Sequence, residues 1–179
     1  LIQELRFYNG ENRSLDFIAR NFFGRIQGTS SVNYARKNWR WYFQKTAPGY
    51  TATMSYGEID ANGKQSSPTA TEGKKNLFRL RTNSVGAKLA CPKCDFSDSS
   101  MTTNTGGAKF INDGMKEMGI LTPAQQYVAD HSDTCKDVIR SAIDGLPCDL
   151  FVAKSIDEEL TYYGQYNMNN EKSDSYPIF

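Results

Sequence analysis

Between Lys37 and Phe43 the chain alternates with a period of two, placing Lys37, Trp39, Trp41 and Phe43 on one face and Arg36, Asn38, Arg40 and Tyr42 on the other. In a helix, residues two apart lie on nearly opposite sides, so only a strand gathers these rings onto one surface. The stretch Arg25–Thr46, which opens on the turn Gly28-Thr-Ser-Ser31, is therefore expected to contain a strand with an aromatic inner face. Cations interleaved with aromatics also suit single-stranded nucleic acid, whose bases stack on the rings. That use needs an electrostatic funnel, and 21 Lys+Arg against 20 Asp+Glu leave a formal charge of only +1. Core packing is the expected role of the two Trp, and nucleic acid is not an expected partner.

A chain of 179 residues with 39% hydrophobic and 12% aromatic residues buries one sizeable core. Residues 1–179 read as one domain or most of one, and the start at Leu1 without Met suggests a fragment of something longer. No apolar run approaches the roughly 20 residues that cross a bilayer, and Leu1 to Asn12 hold no signal-peptide core.

Further along, residues 47–76 shift to Gly, Ser, Thr, Pro and Lys and read as an exposed loop or insertion. Phe78-Arg-Leu-Arg-Thr82 alternates again, which predicts a half-buried strand with Arg79 and Arg81 on its outer face. Gly106 to Met118 carries Phe110, Ile111, Met115 and Met118 as a helical stripe, with Gly119 placed to end it. Thr122-Pro123 is a second helix start, and a third short helix or turn is read over Asp133–Arg140. Asp144-Gly145 signals a tight turn between Ser141-Ala-Ile143 and a strand over Leu146–Val152. Thr161–Met168 alternates with Tyr162, Gly164, Tyr166 and Met168 on one face, and its Gly164 signals a bulge or a close backbone approach. The fold class is α+β, with a mainly antiparallel sheet and central helices.

The four cysteines are Cys91, Cys94, Cys135 and Cys148. Cys91-Pro-Lys-Cys94 has the spacing of half a zinc site, which Cys135, Cys148 and His131 complete on paper, but a second short-spaced pair is lacking. Reduced thiols are expected, with Cys148 a small core residue in its strand. A dithiol redox role for the pair is ranked lower, because no βαβ pattern surrounds it.

Six blocks in order carry a resemblance: Arg25-Ile-Gln-Gly-Thr-Ser-Ser31, Arg36-Lys-Asn-Trp39, Asp95-Phe-Ser-Asp-Ser-Ser100, Asn104-Thr-Gly106, Ile143-Asp-Gly-Leu-Pro147, and Tyr163-Gly-Gln-Tyr-Asn167 running on to Glu171-Lys172. Together they resemble the CotH spore-coat family, in a variant similar to versions found in surface and phage tail proteins. The resemblance covers about Gly24 to Lys172 and departs from the family pattern at Thr29 and Asn38. It implies an atypical kinase-like fold, present here in part, with Lys37 and Glu171 as the nucleotide-side pair. Phosphoryl transfer needs metal-holding and base-orienting carboxylates as well. The family's Asp-His-Asn-type segment, which supplies them, has no counterpart before Phe179, since the single His131 sits in an Ala-Asp-His-Ser context. The resemblance therefore implies a structural or binding domain of a larger surface or virion assembly, with other protein subunits as partners and no cofactor. An ATP- and Mg²⁺-dependent Ser/Thr kinase is the alternative. A carbohydrate-binding module is a third reading, with Trp39, Trp41, Tyr162 or Tyr163 as stacking platforms. Outside catalysis, Lys37 and Glu171 reduce to an ion pair, and Asp95 and Asp98 to turn-formers or caps.

Overall fold

In the computed structural model, residues 1–57, 71–72, 78–80, 87–95, 100, 103–120 and 145–169 are described. The aromatic alternation forms β3 (Asn38–Tyr42), and its neighbours follow from what those rings need on either side. Before it come β1 (Ile2–Tyr8), β2 (Leu15–Gln27) and a single 3-10 turn (Ser30–Asn33). After it come β4 (Thr53–Tyr56), β5 (Thr71–Glu72), β6 (Leu89–Lys93), helix α1 (Thr103–Glu117), β7 (Gly145–Val152) and β8 (Thr161–Asn169). These strands make one eight-stranded sheet in the order β5-β4-β2-β3-β6-β8-β7, with β1 also paired to β2. Every pairing is antiparallel, and the sheet curls into a half-barrel.

β2 serves two sets of neighbours. Its first half pairs with β1 and β4, and its second half, Phe23 to Gln27, pairs with β3. Asn21, at the changeover, takes the left-handed conformation (φ 53°) that Asn tolerates better than most residues. That one residue breaks the alternation. Phe17 and Ala19 point inward before it and Phe22 points inward after it, so both halves feed the same core.

The core is an aromatic knot. Phe17 meets Phe43 and Phe78 edge-on at 5.0 and 5.2 Å between centroids, and Phe43 also meets Phe22 and Phe78 at 5.2 and 5.1 Å. Each such pair adds about 0.5–1.5 kcal/mol beyond the area it buries. Trp41 (5% exposed) stands edge-on to Phe22 at 6.2 Å, while Trp39 is half-buried against the same cluster. The three-ring face expected of this strand is therefore turned inward.

Several expectations need correction. Residues 47–76 are not one exposed loop, because β4 and β5 lie inside that range and Ala52 and Met54 are buried. Loop-like composition hid a four-residue strand in which Met54 points inward. Residues 58–70, including the Asn-Gly turn, lie outside the described residues. Phe78 and Leu80 are buried as expected, and among the described residues the segment contributes a single bridge, Phe78 to Ala87; Arg79 lies over the Tyr56 ring at 5.4 Å, and Arg81 is outside the described residues.

Helix α1 begins at Thr103 rather than Gly106. It ends as expected: Gly119 adopts φ 65°, Gly119 N–H donates to Lys116 O (3.1 Å), and Ile120 N–H donates to Met115 O (2.9 Å). These two bonds close a Schellman motif, which glycine enters without a Cβ clash. On the exposed surface Lys109 pairs with Asp113 one turn on. The stripe is the surprise, since Phe110 (81% exposed), Ile111 and Met118 face solvent and only Met115 is half-buried. Helical periodicity fixes which residues share a face, not what covers that face. The sheet instead meets the first turn of α1, where Thr105 approaches Gly145. Among the described residues α1 is the single α-helix, and the Thr122-Pro123 start and Asp133–Arg140 lie outside them.

Two stability outcomes follow. Trp41→Ala empties the centre of the aromatic face and is expected to cost about 3–5 kcal/mol in denaturant unfolding. Because the Trp41 indole N–H is buried with no hydrogen-bond partner, Trp41→Phe keeps most of the packing and should cost less than about 1.5 kcal/mol. The second concerns Glu4, which sits opposite Arg20 in the β1–β2 ladder and accepts from Arg20 Nε and Arg6 Nε, both at 2.6 Å. Burial alone would raise its pKa, but the two guanidinium hydrogen bonds and charges outweigh burial and hold it below its ordinary value of 4.5. A depressed carboxyl contributes stability that is whole above its unfolded pKa and is lost as pH falls through the folded one. Thermal melts of the wild type should therefore fall off below about pH 4.5, whereas Glu4→Gln should start lower and vary less over that window.

Candidate functional site

Four of the six resemblance blocks meet at one corner of the sheet, where the end of β2, the start of β3, the end of β6 and the middle of β8 run side by side. Pairing explains the meeting: Gln27 lies opposite Asn38 and Lys93 opposite Asn167, so one row of polar side chains crosses four strands. Lys93 Nζ donates to Gln27 Oε1 (2.7 Å), Asn38 Oδ1 accepts from Cys94 N–H (2.9 Å), and Asn167 Nδ2 donates to Asp95 Oδ2 (2.7 Å). Asp95, just past β6, has φ 39°, a conformation that Asp tolerates, and it turns the chain there as its turn-former reading implies.

Lys37 sits at the base of this corner. Its ammonium donates to the carbonyls of Val32 (2.8 Å) and Tyr34 (2.6 Å), closing the loop that follows the 3-10 turn. The backbone carbonyl of Lys37 accepts from Tyr166 OH (3.0 Å), which ties β8 to the same loop. Glu171, its expected carboxylate partner, and Asp98 lie outside the described residues. The structure thus shows Lys37 as a clasp on its own loop.

Arg36, expected on the outer face of the strand, ties the loop to the sheet. Gly164 has φ 141°, and a Cβ there would lie 2.6 Å from Arg36 Nη1, while the same nitrogen donates to Gln165 O (3.4 Å). Both expectations for Gly164 hold at once, because the β7–β8 register also slips here: Leu150 faces Gly164 but Phe151 faces Tyr162. Tyr163 is the extra residue. The bulge reverses the faces, so Tyr162 is not on the Gly164–Tyr166–Met168 side as alternation predicted but beside Phe151.

Chemically, the corner holds its groups against one another. The Cys94 thiol donates to Arg36 O at 3.3 Å and is buried with Cys91. Tyr166 has its phenol pushed well up, first by burial and then by Tyr163 and Cys94 beside it. Among the described residues no three His, Cys, Asp or Glu side chains gather as a metal would need; His131 and Cys135 are outside them. Cys148 is half-buried rather than fully core, and burial followed by the Asp149 charge pushes its thiol up to about 11.

Besides the exposed stripe of α1, apolar side chains are exposed at the tip of the β7–β8 hairpin. Phe151 and Tyr162 pair at 5.3 Å, Tyr162 OH donates to Asp149 Oδ1 (3.3 Å), and Val152, Ile156 and Leu160 stand exposed around them. Of the four candidate stacking rings, Trp41 is buried, Trp39 and Tyr163 are half-buried, and Tyr162 (55%) is exposed. Tyr163 lies stacked on Tyr166 (6.0 Å, 17°). No signal short of the bulge could have placed Tyr162 outside, since its neighbours by parity are core residues.

Comparison with protein-family models, with curated proteins and with solved structures finds no match to this chain. No helix among the described residues is long and apolar enough to cross a membrane.

The thiols offer a direct check of this geometry. Alkylation by iodoacetamide at pH 8 should leave Cys91, Cys94 and Cys148 unmodified on the timescale in which denaturant exposes them all, because the first two are buried and the third titrates near 11. Rapid labelling of Cys91 or Cys94 in the native protein, read by peptide mass, would contradict their burial.

Proposed function

We propose that this chain is a structural or binding domain of a larger surface or virion-type assembly, on a sheet related to the CotH kinase-like fold, and that residues 1–179 perform no chemistry of their own. The observation that carries this reading is the β7–β8 tip. Five large apolar side chains of that hairpin stand exposed to solvent. Soluble domains rarely leave such a cluster uncovered unless something binds there. The corner where a nucleotide-side lysine is implied gives less support to catalysis, because Lys37 already serves two carbonyls.

A second reading has one observation in its favour: blocks separated by more than a hundred residues do converge around Lys37, Asp95 and Asn167. An ATP-dependent Ser/Thr kinase whose metal-binding carboxylates come from elsewhere would build on that corner.

Two measurements separate the readings. Titration calorimetry with Mg-ATP is expected to give no binding in the micromolar range, and labelled phosphate is not expected on a Ser-containing protein. Micromolar binding abolished by Lys37→Ala would move the conclusion to the kinase. For the hairpin itself, Phe151→Ser with Tyr162→Ser should change unfolding free energy by no more than about 0.5 kcal/mol each, as surface residues do. A collapse of the fold in that variant would mean the tip is structural support and would sink the contact reading.

A further inference from the structure

The β7–β8 tip is charged as well as apolar. The hairpin that carries Phe151, Val152, Ile156, Leu160 and Tyr162 also carries Asp149, Asp157, Glu158 and Glu159, all exposed, against one cation of its own, Lys154, while Arg36 lies close enough to act on the Tyr162 phenol. A partner that complements these side chains presents an apolar and basic surface.

Such a surface exists on the same chain. Phe23 and Tyr42 face each other across β2 and β3 with centroids 5.8 Å apart, on the sheet face opposite Trp41. Over the Tyr42 ring stand Arg25 Cζ at 5.8 Å and Lys45 Nζ at 4.8 Å, both on exposed residues. Arg25 is also paired opposite Arg40, a like-charge arrangement that isolated stability disfavours. With a net charge of +1 for the whole chain, neither patch is a by-product of overall charge. In the sheet order β2-β3-β6-β8-β7 the two patches lie on opposite sides of β6.

We propose that the acidic, apolar β7–β8 tip docks on the Phe23, Arg25, Tyr42 and Lys45 patch of a second copy of this chain. The inference rests on the reading of the tip as a contact surface and names its partner. Each patch supplies what the other lacks: aromatic faces meet aliphatic and aromatic side chains, and two cations meet a cluster of carboxylates. Complementary charges of this kind set register and speed encounter, and salt weakens them.

Sedimentation velocity of the 179-residue chain over a range of concentrations tests this. Self-association is expected, weaker at high salt. Glu158→Lys with Glu159→Lys, or Arg25→Glu with Lys45→Glu, should each raise the dissociation constant by about tenfold or more. A chain carrying all four reversals swaps the signs of both patches and should associate again. A wild type that stays monomeric at every concentration overturns the proposal, as does association that neither reversal weakens or that the four-fold variant fails to recover. The melt of the Phe151 and Tyr162 variant keeps the two readings apart: a monomeric wild type with an unaltered melt removes the second copy as partner and leaves the contact surface.

Discussion

Asn21 makes the rest of the sheet possible. In a 13-residue strand with unbroken alternation, Phe17 and Phe22 would project from opposite faces, and half of the aromatic knot would point into water. The left-handed turn at Asn21 (φ 53°) inserts one residue of phase, so both rings reach Phe43. The same step moves β2 from the company of β1 and β4 to that of β3. A backbone cost at one residue that tolerates it is set against several buried aromatic contacts, each worth a sizeable fraction of a kcal/mol. The curl of the half-barrel follows, because a strand that turns out of phase also turns out of plane.

A second phase break does the opposite job at the far edge. At Gly164 the extra residue Tyr163 rotates the outer end of β8, and Tyr162, which would have joined Tyr166 and Met168 in the interior, is delivered to the surface beside Phe151. Arg36 fills the space that a side chain at position 164 would occupy, locking the 3-10 loop to the bulge. One irregularity thus gathers the core and the other exposes a ring pair. Both involve positive φ, one at an Asn and one at a Gly.

What the sequence made legible is what local periodicity encodes. The Trp39–Trp41–Phe43 face, the Gly119 helix end, the β8 span from Thr161 and the special role of Gly164 were all readable, because each depends on neighbours within a few residues. The kink at Asn21 was not readable, since Asp16-Phe-Ile-Ala-Arg-Asn-Phe-Phe lacks clean alternation for the very reason that its phase changes midway. β6 was hidden behind its Cys-Pro-Lys-Cys spacing, which suggests a metal site until the strand buries both thiols. For the candidate site, the resemblance implied a pairing of Lys37 with Glu171, which lies outside the described residues, and the Lys37 ammonium turns back onto Val32 and Tyr34. Whether a lysine donates to its own loop is a matter of three-dimensional reach, and no spacing reports it.

The two outward patches have a common origin in the sheet's division of labour. Residues that alternate with Trp41 and Trp39 must face away from the core, and there the chain places Arg40, Tyr42, Phe23 and Arg25 where small polar residues would have sufficed. Large rings on a solvent-facing sheet surface lose favourable burial and add aggregation risk, so their presence calls for a compensating role. On β2 and β3 cations stand over Tyr42, and on β7 and β8 Asp149 accepts from the Tyr162 hydroxyl. Opposite signs of charge keep like patches apart while leaving unlike patches free to meet, so these charges determine which of the monomer's surfaces can join.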